Sequence, residues 1–177
     1  IKEFGGACAD RIPDAVLSST QPLVMRGLAA DWPIVTAAKK SAADAASYLQ
    51  SFDSGKLLTA MAGAPEIDGR IFYNSDLTGF NFEHRRLPLA QILQTLIHYS
   101  ADEKPPTLYV GSSNIDHWLP GFRDDNDLAL QDQDPVISLW ISSRSRIAAH
   151  YDFPTNIACC VAGRRRFTLF PPDQLKN

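Results

Sequence analysis

The chain has 177 residues, of which 45% are hydrophobic and 21% are charged, a composition typical of one soluble globular domain with its own core. Its net charge of −3 gives no strong attraction to nucleic acid or to an anionic membrane, and no apolar run approaches the roughly 20 residues that cross a bilayer. We therefore expect no nucleic-acid partner and no membrane association. Cys8, Cys159 and Cys160 are odd in number, with two of them adjacent, which is not a disulfide framework. They are interpreted as small core residues of a protein in the reducing cytoplasm.

Helical patterns lie in the first 106 residues, which we expect to form a helix-containing N-terminal part. Residues 13–18 predict a short helix. Ser41–Phe52 predicts a longer one, because Ser41 can cap it and Asp44 stands where a capping-box partner would. Pro88–Tyr99 predicts another, with a proline near its first turn and one apolar face.

Short apolar segments bounded by turn residues predict strands, most of them late in the chain. The predicted strands are Gln21–Gly27, Lys56–Ala62, Arg70–Tyr73, Thr107–Gly111, Val136–Ser142, Arg146–Tyr151, Asn156–Ala162 and Arg166–Phe170. The last two are expected to form a hairpin across residues 163–165. Helices that come early and antiparallel strands that come late, with no alternation of the two, argue against a doubly wound fold.

His150 and Asp152 form the motif on which the functional interpretation depends. Two residues apart on a strand, they project from the same side and could hold one metal ion. An imidazole and a carboxylate suit iron, manganese, zinc and similar divalent ions. The alternative from the residues alone is a structural histidine paired with a nearby carboxylate.

The surrounding residues resemble a known family, the cupin-like JmjC hydroxylases. The resemblance is carried by Leu139-Trp140-Ile141, His150-Tyr151-Asp152 with Asn156, residues 163–167 (Gly-Arg-Arg-Arg-Phe) and residues 169–172 (Leu-Phe-Pro-Pro). Upstream, residues 22–27 and Asp31-Trp32-Pro33 look like the family's amino-terminal signature. Bacterial cupin-like proteins and the asparaginyl hydroxylase that acts on hypoxia-inducible factor share this pattern.

The resemblance implies a mainly β fold with N-terminal helices, the double-stranded β-helix or cupin jelly roll, in a single domain spanning residues 1–177. Residues 107–177 would be the first strands of the β-helix. The resemblance also implies Fe(II) as the metal and 2-oxoglutarate as the co-substrate. By the same resemblance, His150 and Asp152 are metal ligands, Asn156 lies near the oxo-acid carboxylate, and Tyr109 hydrogen-bonds the far carboxylate.

The second metal-binding histidine of the family is missing. The four histidines are His84, His98, His117 and His150, and none of them follows the Phe-Pro-Pro sequence. We expect that the chain is a piece or processed form, starting at Ile1 and stopping before the strands that complete the β-helix. His117, in a predicted loop, is the local alternative for a third ligand.

Arg165 is the second departure from the family, which often has a lysine there that grips the far carboxylate. Arginine can bind a carboxylate through two hydrogen bonds, but its longer planar fork is not a neutral replacement for lysine. Other interpretations stay open at the co-substrate residues: residues 164–166 as a solvated hairpin tip, Asn156 as a backbone partner and Tyr109 as a core or rim residue.

The leading hypothesis is an Fe(II)- and 2-oxoglutarate-dependent oxygenase that hydroxylates a protein side chain or a small molecule. Its partners would be that substrate and, in a homodimer, a second copy of the chain. Two alternatives belong to other classes. One is a cupin-fold binding or scaffold protein without oxygenase chemistry, and the other is a cupin that uses another metal for non-oxidative chemistry.

Overall fold

A computed structural model describes residues 1–130 and 133–176, which combine β-sheets with α-helices. The helices are α1 (Asp14–Leu17), α2 (Pro33–Lys40), α3 (Ala42–Gln50), α4 (Leu89–His98) and α5 (Ile115–Trp118), with 3-10 helices at Pro65–Ile67, Phe122–Asp124 and Pro172–Lys176. Four of the α-helices precede residue 107, where the sequence predicts the helix-containing part. The boundary itself stays a prediction. Within the described ranges, every helix is too short or too polar to span a bilayer.

The strands form one four-stranded antiparallel sheet and two short parallel pairs. They are β1 (Lys2–Phe4), β2 (Leu23–Met25), β3 (Leu58–Gly63), β4 (Arg70–Ile71), β5 (Glu83–Leu87), β6 (Thr107–Asn114), β7 (Ser138–Ser142) and β8 (Arg146–Ile147). In the large sheet the order is β5-β3-β6-β7. Its register sets Tyr109 of β6 between Met61 of β3 and Ser142 of β7, in the middle of the sheet.

The hydrophobic core lies between this sheet and the helices. Leu108 and Val110 of β6 pack in it with apolar residues of the other elements. These are Ile34 from α2, Ala45 and Ala46 from α3, Leu58 and Ala60 from β3, Leu89, Ile92 and Leu93 from α4, and Ile115, Leu119 and Phe122. Because successive strand residues face opposite sides, Tyr109 lies on the other face of the sheet from Leu108 and Val110.

Local sequence signals explain two of the helices. The Ser41 side chain accepts a hydrogen bond from the backbone N–H of Asp44 at 2.9 Å, which satisfies one of the free donors at the start of α3. Helix α4 follows Pro88 and buries Leu89, Ile92 and Leu93 along one face. Both helices lie within the ranges predicted from the sequence.

Several elements were not predicted from the sequence, among them helix α2 and strand β5. Helix α2 begins at Pro33 directly after Trp32, and no side chain at that position caps it. Strand β5 has the sequence Glu-His-Arg-Arg-Leu and shows no apolar alternation. It is a strand because it pairs with β3 along five residues, from Leu58↔Leu87 to Ala62↔Glu83.

The predicted strands after residue 147 are wrong for the described structure. Of Arg146–Tyr151 only Arg146–Ile147 is a strand, and it pairs in parallel with β4. Asn156–Ala162 and Arg166–Phe170 are not strands and form no hairpin, although Gly163 turns between them with φ +74°. A strand needs a partner for its backbone groups, and these segments have none among the described strands. The aromatic residues of Arg166–Phe170 accordingly stay exposed, Phe167 at 53% and Phe170 at 66%.

The cysteines also differ from the prediction of small core residues. Cys8 and Cys160 are exposed, and Cys159 is half-buried; all three are free thiols. Burial raises the pKa of the Cys159 thiol. Only Cys159 therefore resembles the core residue that the sequence predicts.

Candidate functional site

Tyr109 belongs to a cluster of side chains on the face of the sheet opposite the helices. Only 8% of the residue is exposed. Its pKa is raised, chiefly because burial disfavours the charged phenolate; the positive charge of Arg165 lowers it and the negative charge of Asp152 raises it further. Arg165 and Asp152, two further residues that the sequence predicts for the site, are thus within electrostatic range of Tyr109.

Arg165 lies against two aromatic rings. Its Cζ atom is 5.7 Å from the ring centroid of Trp140 and 5.0 Å from that of Phe167. The Trp140 ring in turn meets Tyr109 edge-on, with the two centroids 6.0 Å apart and the planes inclined by 61°. The guanidinium, the indole and the phenol form one continuous cluster in which Trp140 is the central member.

Gly111 leaves the space in which Tyr109 and Trp140 approach each other. A Cβ atom at this position would lie 2.8 Å from Tyr109 Cε1, 3.2 Å from Trp140 Cζ3 and 3.3 Å from the Tyr109 hydroxyl. The pairing of β6 with β7 also shifts register between Val110 and Ser113, as at a β-bulge. Bulges re-aim side chains on a strand, and this one adjoins the cluster.

His150 is exposed and lies in irregular backbone after β8. Its Nδ1 is 2.8 Å from the carbonyl oxygen of Ala148. Because a carbonyl only accepts hydrogen bonds, Nδ1 is the donor of this bond, which leaves Nε2 as the ring nitrogen for another partner. An imidazole whose second nitrogen is anchored in this way is typical of metal-binding histidines.

Asp152 and Asn156 are exposed in the same irregular segment, not on the regular strands that the sequence predicts. The negative charge of Asp152 raises the pKa of Tyr109. Asn156 has no described contact with Tyr109, Arg165 or His150. The structure therefore joins Asp152 to the cluster around Tyr109 and leaves Asn156 outside it.

The donor chemistry of His150 and Asp152 fits a divalent metal, although no described contact joins the two side chains. Within residues 1–130 and 133–176, no group of three or more His, Cys, Asp or Glu side chains is arranged to hold a metal ion. His117, the alternative third ligand, is exposed in α5, and its Nδ1 lies 3.3 Å from Lys56 Nζ. That His150 and Asp152 act as metal ligands therefore stays a prediction from the sequence.

Trp140 is a member of this cluster for which no functional role was predicted from the sequence. It is 43% exposed, whereas its neighbours Leu139 and Ile141 pack against the core. The signal was present in the strand period: a residue between two core-facing neighbours faces the opposite side of the sheet. That face is the one that carries Tyr109.

The fold and these side chains define a β-sheet domain with an aromatic and charged cluster on the face away from its helices. The sequence of residues 9–177 matches the family described as the cupin-like domain. Since the match covers most of the chain, this protein belongs to the cupin-like domain family. No curated protein matches the chain.

Proposed function

We propose that this protein is an Fe(II)- and 2-oxoglutarate-dependent oxygenase of the JmjC type, with a double-stranded β-helix as its complete architecture. Its similarity in motif to the asparaginyl hydroxylase of hypoxia-inducible factor belongs to the same proposal. The substrate would be a protein side chain or a small molecule. The observation that carries the proposal is the convergence of Tyr109, Arg165 and Asp152, because the first two suit a carboxylate and the third suits a metal.

In this proposal His150 and Asp152 hold the iron. The His150 Nδ1–H bond to the Ala148 carbonyl fixes the tautomer that offers Nε2 to the metal. Bound iron would supply the oxidative chemistry with dioxygen and the oxo acid.

The remaining roles belong to the chain's own polar side chains. Arg165 and Tyr109 bind the far carboxylate of 2-oxoglutarate: the guanidinium donates hydrogen bonds through its fork, and the neutral phenol donates one more. The raised pKa of Tyr109 keeps that proton on the hydroxyl. Asn156 lies near the other end of the oxo acid.

The test is release of carbon dioxide from 2-oxoglutarate by the full-length protein with Fe(II). We expect the wild type to release carbon dioxide. His150→Ala and Asp152→Ala should each lose at least about tenfold in rate, because even the loss of a group that supports a metal ligand typically costs that much. His98→Ala is the matched control, because His98 is an exposed histidine at the end of α4. Equal turnover by wild type and His150→Ala would refute the proposed reaction.

A binding or scaffold protein without oxygenase chemistry is the second candidate. Two observations favour it: Arg165 in place of lysine, and no third metal donor among the described residues. Here the full-length protein would bind a partner but release no carbon dioxide from the oxo acid, and Asp152→Ala would leave partner binding intact.

A cupin that uses another metal for non-oxidative chemistry is the third candidate, and the generic donor pair of His150 and Asp152 supports it. Metal analysis of the purified protein separates it from the scaffold. A stoichiometric metal other than iron, lost in Asp152→Ala, would favour it.

The cellular setting belongs to the same proposal. Cys8, Cys159 and Cys160 are free thiols, which persist in a reducing compartment, and we place the protein in the cytoplasm. Assembly into a homodimer is likewise proposed and is measured by the mass of the protein in solution.

A further inference from the structure

The contact of Arg165 with two aromatic rings gives a physical reason for an arginine at this position. A guanidinium is planar and weakly hydrated, so it lies flat on an aromatic face, whereas an ammonium is a compact, strongly hydrated charge. Trp140 and Phe167 present such faces, at 5.7 Å and 5.0 Å from Arg165 Cζ. Arg164 and Arg166, its neighbours in sequence, have no described ring contact. The rings therefore distinguish Arg165 from the rest of the basic run.

Trp140 connects Arg165 to Tyr109. The indole meets the phenol edge-on and also faces the guanidinium, so one rigid side chain sets the positions of both. The guanidinium and the phenol thus both lie against the Trp140 indole, and in agreement with this the positive charge of Arg165 lowers the pKa of Tyr109. Gly111 maintains the arrangement, because a side chain there would push the Tyr109 and Trp140 rings apart.

We propose that Trp140 is a positioning residue, which holds the Arg165 guanidinium beside the Tyr109 hydroxyl so that both donate to a single carboxylate of the ligand. In consequence the site requires arginine: lysine at position 165 would lose both the fork and the stacking. The inference rests on the proposed function in so far as the carboxylate is that of an oxo acid. It also applies to any dicarboxylate ligand of the same length.

Glutarate is the probe, since it has the two carboxylates of 2-oxoglutarate and lacks the oxo group at which the oxidative reaction would start. Its dissociation constant is measured by calorimetry on the full-length protein, without Fe(II). We expect Trp140→Leu to raise it about fivefold to tenfold and Trp140→Phe, which keeps an aromatic face, to raise it less than about threefold. Unfolding midpoints of the variants show whether each one is folded.

A double-mutant cycle tests whether Trp140 acts through Arg165. Arg165→Lys should weaken glutarate binding by about tenfold in wild type but by less than about twofold when Trp140 is already leucine. Arg164→Lys is the control for the arginine and Trp118→Phe for the tryptophan, and both should bind glutarate as wild type does. Equal effects of Arg165→Lys in the two backgrounds would overturn the inference, and so would the lack of saturable glutarate binding by wild type.

Failure of the inference and failure of the proposed function are distinguishable. Coupled effects on glutarate binding without carbon dioxide release would support the positioning role and refute the oxygenase. Turnover of 2-oxoglutarate with independent effects of the two substitutions would support the oxygenase and refute the positioning role. In an active enzyme the same variants should raise the KM for 2-oxoglutarate and leave kcat within about twofold, because the interaction serves binding.

Discussion

The side-chain oxygen of Asn126 accepts a hydrogen bond from the backbone N–H of Ile34, 3.1 Å away, and so caps helix α2 from a loop 92 residues further along the chain. Asn126 is only 3% exposed. Its amide nitrogen donates to the Tyr48 hydroxyl and to the Phe122 carbonyl, each at 2.9 Å. One buried side chain thus joins α2, α3 and the segment after α5.

Asn126→Ala should destabilise the protein by about 2–3 kcal/mol, because it leaves a buried N–H and a buried carbonyl without partners. Tyr48→Phe removes only one of the three hydrogen bonds and should cost about 1 kcal/mol. Urea unfolding at equilibrium measures both values. A loss for Asn126→Ala no larger than that for Tyr48→Phe would contradict the bridging role.

Gly69→Ala should be more destabilising than Gly55→Ala, although the two glycines have nearly the same left-handed backbone, with φ of +74° and +73°. A Cβ at Gly69 would lie 2.3 Å from the Arg144 carbonyl oxygen, whereas nothing lies within 4 Å of one at Gly55. Gly55→Ala should cost about 1–2 kcal/mol from backbone conformation alone. Gly69→Ala adds a clash that only movement of the backbone around β8 can relieve. Equal unfolding free energies for the two variants would show that this contact is not tight.

Tyr109 should make the stability of the protein depend on pH in the alkaline range. Its folded pKa is raised above the ordinary value of 10.0, mainly by burial, so the unfolded chain loses this proton first. The contribution of Tyr109 to the free energy of unfolding is therefore fully present below about pH 10, and it is lost as the pH rises through the folded pKa. Tyr109→Phe should remove this part of the alkaline decline, as measured by urea unfolding at several pH values.

The charges near Tyr109 should move its pKa in opposite directions. Arg165→Gln removes a positive charge and should raise it, whereas Asp152→Asn removes a negative charge and should lower it. Ultraviolet absorbance of the phenolate, with Tyr109→Phe as the reference, follows this titration. If both substitutions shifted the pKa of Tyr109 in the same direction, the two charges would not act on Tyr109 as stated, and the proposed site would lose support.

Cys159 should react with a thiol reagent more slowly than Cys8 and Cys160. The thiolate is the reactive form, and burial raises the pKa of Cys159, while the other two thiols are exposed. Cys160→Ser should remove part of the fast phase, and Cys159→Ser should remove only the slow phase. Three thiols reacting at one rate would place Cys159 in a more open environment.

Local signals in the sequence were sufficient where an element depends on its own residues. The cap of Ser41 on Asp44 and the apolar face of Leu89, Ile92 and Leu93 predicted α3 and α4. Helix α2 was missed because its capping group comes from Asn126, which no local pattern can reveal.

Strands are harder to predict because each is defined by its neighbour. The charged segment Glu83–Leu87 is a strand through its pairing with β3, whereas the apolar segment Asn156–Ala162 is not one. At the site, the residue types and spacing of His150 and Asp152 predicted a pair of metal ligands. Tyr109 and Arg165 were predicted as co-substrate residues only from the family resemblance. The part played by Trp140 depends on its meeting Arg165 across 25 positions of chain, which only the folded structure shows.

The outer strands of the four-stranded sheet differ in a way that bears on aggregation. At one margin β5 carries Arg85 and Arg86, with Glu83 already engaged by Arg85. A second molecule laid antiparallel against this margin would bring rows of like charge together, so β5 discourages fibril growth there. The opposite margin, formed by β7, has the uncharged sequence Ser-Leu-Trp-Ile-Ser. Extension of the four-stranded sheet between molecules is therefore easier at the β7 margin, next to the tryptophan that contacts Arg165.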